Sequence, residues 1–126
     1  MQIHLTNTEW AVLECLWEHS PMTLMQLVSQ LKQSMGWAKS TTTTLVRRME
    51  EKTLIRSESN GRRKDFFPNV DREKAVMQET RSFLQRVYKG SVGLMMSAMT
   101  EKQVLSQAEI EELYEILRQA ERRDSQ

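Results

Sequence analysis

Only one cysteine, Cys15, occurs in this sequence of 126 residues. No intrachain disulfide and no cysteine-based metal cluster can form from it, which suits a reducing cytoplasm. Histidine is almost as scarce. His4 and His19 stand far apart in the chain, so no histidine metal site is expected. Two prolines and four glycines are too few for a turn-rich β sandwich and favour helices. No apolar run approaches the length that spans a bilayer, and the opening MQIHLTNTEW lacks a basic segment followed by an apolar one. Neither membrane insertion nor a signal peptide is expected. The sequence also lacks a glycine-rich phosphate loop, a His-Glu-x-x-His motif and a nucleophile with a plausible histidine partner. It therefore reads as a non-enzyme without a cofactor.

What is present is enough for a folded chain: 39% hydrophobic and 28% charged residues. The length suits one domain, or a small domain with an appended helical segment. Net charge is only +1, but the cations are unevenly placed. Between Ser40 and Asp65 stand Arg47, Arg48, Lys52, Arg56, Arg62, Arg63 and Lys64, against Glu50, Glu51, Glu58 and Asp65. From Asp71 onward, nine basic residues face ten acidic ones. The basic surplus is local, as a nucleic-acid contact requires.

Three helix starts carry one chemical pattern. Thr6 precedes Glu9, Thr23 precedes Gln26 and Ser106 precedes Glu109 by three residues each. Each pair fits a capping box, in which hydroxyl and longer side chain satisfy orphan backbone N–H groups reciprocally. The first helix is expected from Asn7 to His19, with Trp10, Val12, Leu13, Leu16 and Trp17 inward. A second runs from Leu24 to Ser34, with Leu24, Leu27, Val28 and Leu31 inward and Gly36 as its breaker. A third follows Ser40 to about Lys52, with Thr42, Leu45, Val46 and Met49 inward. The period then changes. Leu54 to Glu58 and Lys64 to Phe67 read as strands around a turn at Ser59-Asn60-Gly61-Arg62, with Asn-Gly as the hairpin cue. Ile3-His4-Leu5 is expected to pair at the edge of this hairpin. Three more helices follow: Asp71 to Lys89, Leu94 to Met99 and Gln107 to Arg122. The fold class is mainly α with a small β-hairpin. A winged helix-turn-helix covers residues 1–70, and a helical dimerisation region covers 71–126.

Two segments carry the functional reading. Four consecutive threonines are unusual in a helix, but at the start of one lying in a major groove their hydroxyls reach phosphates and base edges. Lys39, Ser40, Thr41, Thr43, Thr44, Arg47 and Arg48 are the DNA-contact candidates there, and the rival reading is a plain capping segment. Arg62, Arg63 and Lys64 at the hairpin tip are the wing candidates, and the rival is a solvated turn. Trp37 reads as an anchor for the turn before the third helix. The apolar residues of the last three helices have little domain of their own to bury them. Phe83, Leu84, Val87, Leu94, Met95, Met99, Ile110, Leu113, Ile116 and Leu117 are therefore expected to form a homodimer interface. Met95, Met96 and Met99 read as packing residues rather than copper ligands. Cys15 reads as an inert buried thiol.

The sequence resembles the penicillinase-repressor family of winged-helix repressors, in its BlaI/MecI-like branch. The residues that carry the resemblance are Glu9-Trp10 through Leu16-Trp17, Thr44 to Met49, Phe66-Phe67, Phe83-Leu84 before Tyr88-Lys89-Gly90, and Glu109 to Leu113. The related copper-responsive branch carries paired Cys-x-Cys motifs, which this sequence lacks. The resemblance implies a homodimeric repressor on a double-stranded, pseudo-palindromic DNA operator. It also implies inactivation by cleavage in the dimerisation region, triggered through a membrane sensor protease that detects β-lactams. The aligned junction is Ala98-Met99. Ser40 and Thr43 stand where the family often carries basic residues. Two readings from other classes remain: a protein-interaction module, which the modest net charge permits, and a ligand-sensing regulator.

Overall fold

The computed structural model describes residues 4–124. All three capping boxes form. The Thr6 Oγ1 accepts from the Glu9 N–H at 3.1 Å, and the Glu9 carboxylate accepts from the Thr6 N–H at 2.9 Å. The equivalent pairs are 3.2 and 2.8 Å at Thr23 and Gln26, and 3.2 and 2.9 Å at Ser106 and Glu109. They open α1 (Asn7–Glu18), α2 (Leu24–Met35) and α6 (Gln107–Asp124). Between α1 and α2 lies a short strand, β1 (Met22–Thr23). Gly36 closes α2 with φ of 71° and donates to the carbonyls of Leu31 and Lys32. Space around it is open, so the requirement for glycine is the left-handed backbone, not a close neighbour.

The third helix, α3, spans Lys39–Glu51. It starts earlier than the hydroxyl at Ser40 suggested. Ala38 is its N-cap and makes no side-chain bond, which leaves first-turn N–H groups for an outside acceptor. The hairpin follows as β2 (Ile55–Asn60) and β3 (Arg63–Pro68). Asn60 pairs with Arg63, so the two-residue loop is Gly61-Arg62, one position later than the Asn-Gly cue placed it. Only Gly61 of these two has positive φ, at 67°, as a turn with glycine first demands. The sheet order is β1-β3-β2, all antiparallel, with Met22 opposite Phe66. The expected edge strand at Ile3-His4-Leu5 is replaced by β1. His4 and Leu5 lie outside any strand, and Ile3 falls outside the described residues. Three helices and this hairpin make a winged helix.

Its core is one cluster. Val12, Leu13 and Leu16 of α1 meet Leu27 and Leu31 of α2, Val46 and Met49 of α3, and Ile55 and Phe66 of the hairpin. The inward stripes expected for all three helices are present, with Trp10, Trp17, Leu24 and Leu45 only half-buried at the margins. Trp17 Nε1 donates to the Val70 carbonyl at 2.9 Å and fastens the hairpin exit to α1. Cys15 is half-buried, and burial together with Glu18 pushes its thiol up, away from the reactive thiolate.

Two polar groups enter this core. Thr42 is fully buried, and its Oγ1 has no hydrogen-bond partner among the described residues. Thr42→Val keeps the shape and removes that orphan hydroxyl. It is expected to raise stability by about 1 kcal/mol in a denaturant titration. A fall in stability would mean that the hydroxyl has a partner. The second group is Glu9, whose side chain is 3% exposed and whose Oε2 lies 2.9 Å from Lys52 Nζ. Burial pushes its carboxyl up, but bonds from the Thr6 N–H and Lys52 outweigh that and hold it below the usual value. A depressed folded value means that this stabilisation is present above the unfolded pKa and is lost as pH falls through the folded one. The Lys52 side chain is 60% exposed, which moderates the pair. Glu9→Gln should therefore destabilise by about 1–2 kcal/mol near neutrality. The gap from wild type should close below about pH 4, and melting curves across pH check this. A gap that is constant with pH would show that the charge is idle.

After the hairpin come α4 (Arg72–Tyr88), α5 (Val92–Glu101) and α6. Asp71 caps α4 by accepting from the Lys74 N–H at 3.1 Å, as expected. The chain divides into two compact units, one ending at Glu79 and the other beginning at Thr80. In the second unit, described by itself, α5 and α6 bury no residue. Phe83 and Tyr88 meet edge to face at 6.0 Å. Phe83, Val87, Leu94, Ile116 and Leu117 remain exposed, while Leu84, Met95, Met99, Ile110 and Leu113 are half-buried.

Candidate nucleic-acid interface

The amphipathic period of α3 sorts its residues into two sets. Thr42, Val46 and Met49 point inward, while Ser40, Thr41, Thr43, Arg47 and Arg48 are exposed and Thr44 is half-exposed. A 13-residue helix is about 20 Å long. Its diameter suits a major groove about 12 Å wide. The outward set has two edges at i, i+4, i+7 spacing. Thr41 and Arg48, with half-buried Leu45 between them, form one edge. With Thr8 of α1, Ser40 and Thr44 they line a depression of about 380 Å³. Thr43, Arg47 and Glu50 form the other edge, and Glu50 meets the hairpin. Thr43 donates its hydroxyl to the Lys39 carbonyl at 2.8 Å, so its remaining capacity is as an acceptor. Trp37 is half-buried and packed against the core, which anchors the turn that aims this helix.

The cations divide by their partners. Among the described residues, Lys39, Arg47, Arg48 and Arg62 have no carboxylate within ion-pair distance. Arg63 pairs with Asp65 at 3.1 Å, and Lys64 pairs with Glu50 at 3.1 Å. Arg56 pairs with Glu58 at 2.7 Å and stacks over Phe67. The three hairpin cations counted alike in the sequence therefore differ: Arg62, in the loop, is free, and the two after it are held. The sequence reading also missed two residues. Thr8 reaches the recognition surface from another helix, which no local pattern shows. Glu50 looked like a charge opposed to binding, although its spacing from Thr43 and Arg47 already placed it on their face.

Among the described residues no group of three His, Cys, Asp or Glu side chains is placed to hold a metal ion, and no helix is long and apolar enough to cross a membrane. The surface offers cations, hydroxyls and helix N–H groups, all donors suited to a polyanion.

Comparison with known proteins bears on the family and the fold. The family model for penicillinase repressors matches residues 5–119. The penicillinase repressor of Bacillus licheniformis is 29% identical over 119 residues, covering 94% of this chain and 93% of that protein. The methicillin resistance regulatory protein MecI of Staphylococcus aureus (strain N315) is 26% identical over 113 residues, covering 90% and 92%. Among solved structures, monomeric Bacillus licheniformis BlaI in complex with the blaP half-operator superposes with a TM-score of 0.52 at 22% identity. That match covers 56% of this chain and 87% of the other, and at this identity it speaks for the fold. With the family model matched from residue 5 to residue 119, the chain belongs to the penicillinase repressor family.

Proposed function

We propose that this chain is a DNA-binding transcriptional repressor that acts as a homodimer. The observation that carries the reading is the face of α3, where unpaired Arg47 and Arg48 flank exposed hydroxyls, with unpaired Arg62 at the tip of the adjoining hairpin. The named DNA complex of BlaI, a winged helix of the same fold, supports it. In this reading the α3 N-terminal turns enter the major groove. Thr43, Thr44 and Arg47 meet base edges there, Ser40, Thr41 and Arg48 hold the flanking phosphates, and Lys39 adds charge. Arg62 meets the backbone beyond the groove.

The dimer rests on the second unit. Phe83, Val87, Leu94, Ile116 and Leu117 expose apolar surface, which a second copy covers by two-fold symmetry. Leu84, Met95, Met99, Ile110 and Leu113 are half-buried in the single chain and belong to the same proposed interface. Two recognition helices then reach successive major grooves, about 34 Å apart. Bound there, the protein obstructs transcription. Release by proteolysis belongs to the same reading. Ala98 and Met99 lie within α5, so a protease gains its extended substrate only when that helix unwinds. Within the single chain α5 buries no residue, so in the monomer it opens at low free-energy cost.

Selection from a random-sequence duplex library tests the reading. Enriched ligands should carry two inverted half-sites about 10 base pairs apart. Recovery of no common sequence would instead favour a protein-interaction module. Arg62→Ala should weaken binding to all duplexes by about three- to tenfold and flatten the salt dependence by nearly one phosphate, about 0.9 in slope. An unchanged slope would remove the hairpin tip from the contact surface.

A further inference from the structure

Glu50 is the one acid on the groove-facing side of α3 that also touches the hairpin. It stands near the C-terminal end of the helix, three residues after Arg47 and seven after Thr43. One carboxylate oxygen, Oε2, accepts from the Ser57 hydroxyl on β2. The other, Oε1, lies 3.1 Å from Lys64 Nζ on β3. Lys64 also sits over the Phe66 ring at 5.4 Å. A single side chain thus ties the recognition helix to both strands of the hairpin. Ser57 is paired with Phe66 and Lys64 with Ser59, so the two hairpin partners of Glu50 stand on successive same-face rungs of one sheet. The Ser57 bond, then Lys64, hold the Glu50 carboxyl below its usual value despite partial burial, so it is ionised at neutral pH.

Two consequences follow. A carboxylate engaged by a hydroxyl and an ammonium is a fixed spacer between helix and wing, and it sets where the loop cation Arg62 falls relative to the groove. Lys64, neutralised by Glu50, is withheld from phosphate. A free lysine there would strengthen binding to every duplex alike, because phosphate contacts carry no sequence information.

We propose that Glu50 is a specificity-determining positioning residue: it locks the hairpin to the recognition helix and sequesters Lys64, which suppresses sequence-independent DNA binding. The proposal rests on the DNA-binding reading above. Glu50→Gln keeps a partner for Ser57 and releases Lys64. Lys64→Gln removes the sequestered cation.

The test is binding of full-length protein to a scrambled 30-base-pair duplex by fluorescence anisotropy, across a salt series. Wild type should bind weakly, with a measurable negative salt slope. Glu50→Gln should bind this duplex about three- to tenfold more tightly at low salt, with a slope steeper by about 0.9, one extra phosphate. The double variant Glu50→Gln with Lys64→Gln should return to the wild-type slope. Lys64→Gln alone should leave the slope nearly unchanged. This exposed substitution gives a reading even if Glu50→Gln does not fold.

A purely structural Glu50 would lower the melting temperature and leave the slope alone, which overturns the proposal. A slope that falls by about 0.9 in Lys64→Gln alone also overturns it, since Lys64 would then already hold a phosphate in the wild type. Absence of salt-dependent binding by wild type to any duplex is a different result. It overturns the DNA-binding reading and takes this proposal with it.

Discussion

Replacing Arg47 and Arg48 together by alanine is expected to weaken DNA binding by about 2–4 kcal/mol, roughly 30- to 1,000-fold. Both guanidinium groups are exposed, and among the described residues neither has a carboxylate within ion-pair distance. In the proposed complex their loss removes contacts to DNA without removing ion pairs that hold the fold. The two edges of α3 separate the roles. Arg48 shares the α1-facing edge with Thr41 and the depression shared with Thr8, a setting for a phosphate. Arg47 shares the hairpin-facing edge with Thr43. Arg48→Ala alone should then weaken all sequences alike and reduce the salt slope. Arg47→Ala should weaken the preferred sequence more than a scrambled one. Competition binding at fixed salt distinguishes these. A double variant that binds as wild type does would exclude α3 from the interface, and melting curves should be unchanged within about 0.5 kcal/mol.

The second large effect concerns the apolar surface of the second unit. Leu117 is 60% exposed in the single chain, so Leu117→Glu should barely change the stability of a monomer. In the proposed dimer the same change buries a carboxylate against apolar neighbours, with a penalty of several kcal/mol. Sedimentation should show the variant as a monomer at concentrations where wild type is a dimer. Affinity for a two-half-site duplex should fall by about 100-fold or more, because the second half-site loses its effective concentration. Affinity for one half-site should hold. A variant that remains dimeric would move the interface off this helix face. The alternating charges beside it make the prediction specific. Arg118 pairs with Glu115 at 3.4 Å and stacks over Tyr114, so these neighbours of Leu117 on α6 already have partners.

Local chemistry explains which parts of this fold are legible in the sequence. The capping boxes at Thr6, Thr23 and Ser106 need only residues three apart, and all three form. The inward stripes of α1 to α3 follow from the helical period, and their core cluster is the expected one. What fails is non-local or one residue deep. β1 is two residues long and abuts the Thr23 cap, so its pairing with Phe66 and Asp65 leaves no alternation to read. The hairpin register slips by one because Asn-Gly and Gly-Arg both supply a glycine in positive φ, and strand pairing decides between them.

The site shows the same division. The Thr-rich helix start and the cationic tip are visible as composition. The difference between Arg62 and Lys64 is not, because it depends on Glu50, 14 residues before Lys64. The Glu9–Lys52 pair spans 43 residues and is equally silent. Ion pairs across a fold depend on packing, and counting charges along a segment overstates how many are free to meet a ligand.

Sequence-selective binding by a dimer is tested by a mobility-shift titration of the protein at physiological salt. The probe is DNA from upstream of its own coding sequence, against an excess of scrambled duplex. Selective retardation of the upstream fragment is expected, with a stoichiometry of two chains per bound duplex. Equal retardation of both duplexes, or none of either, would contradict it.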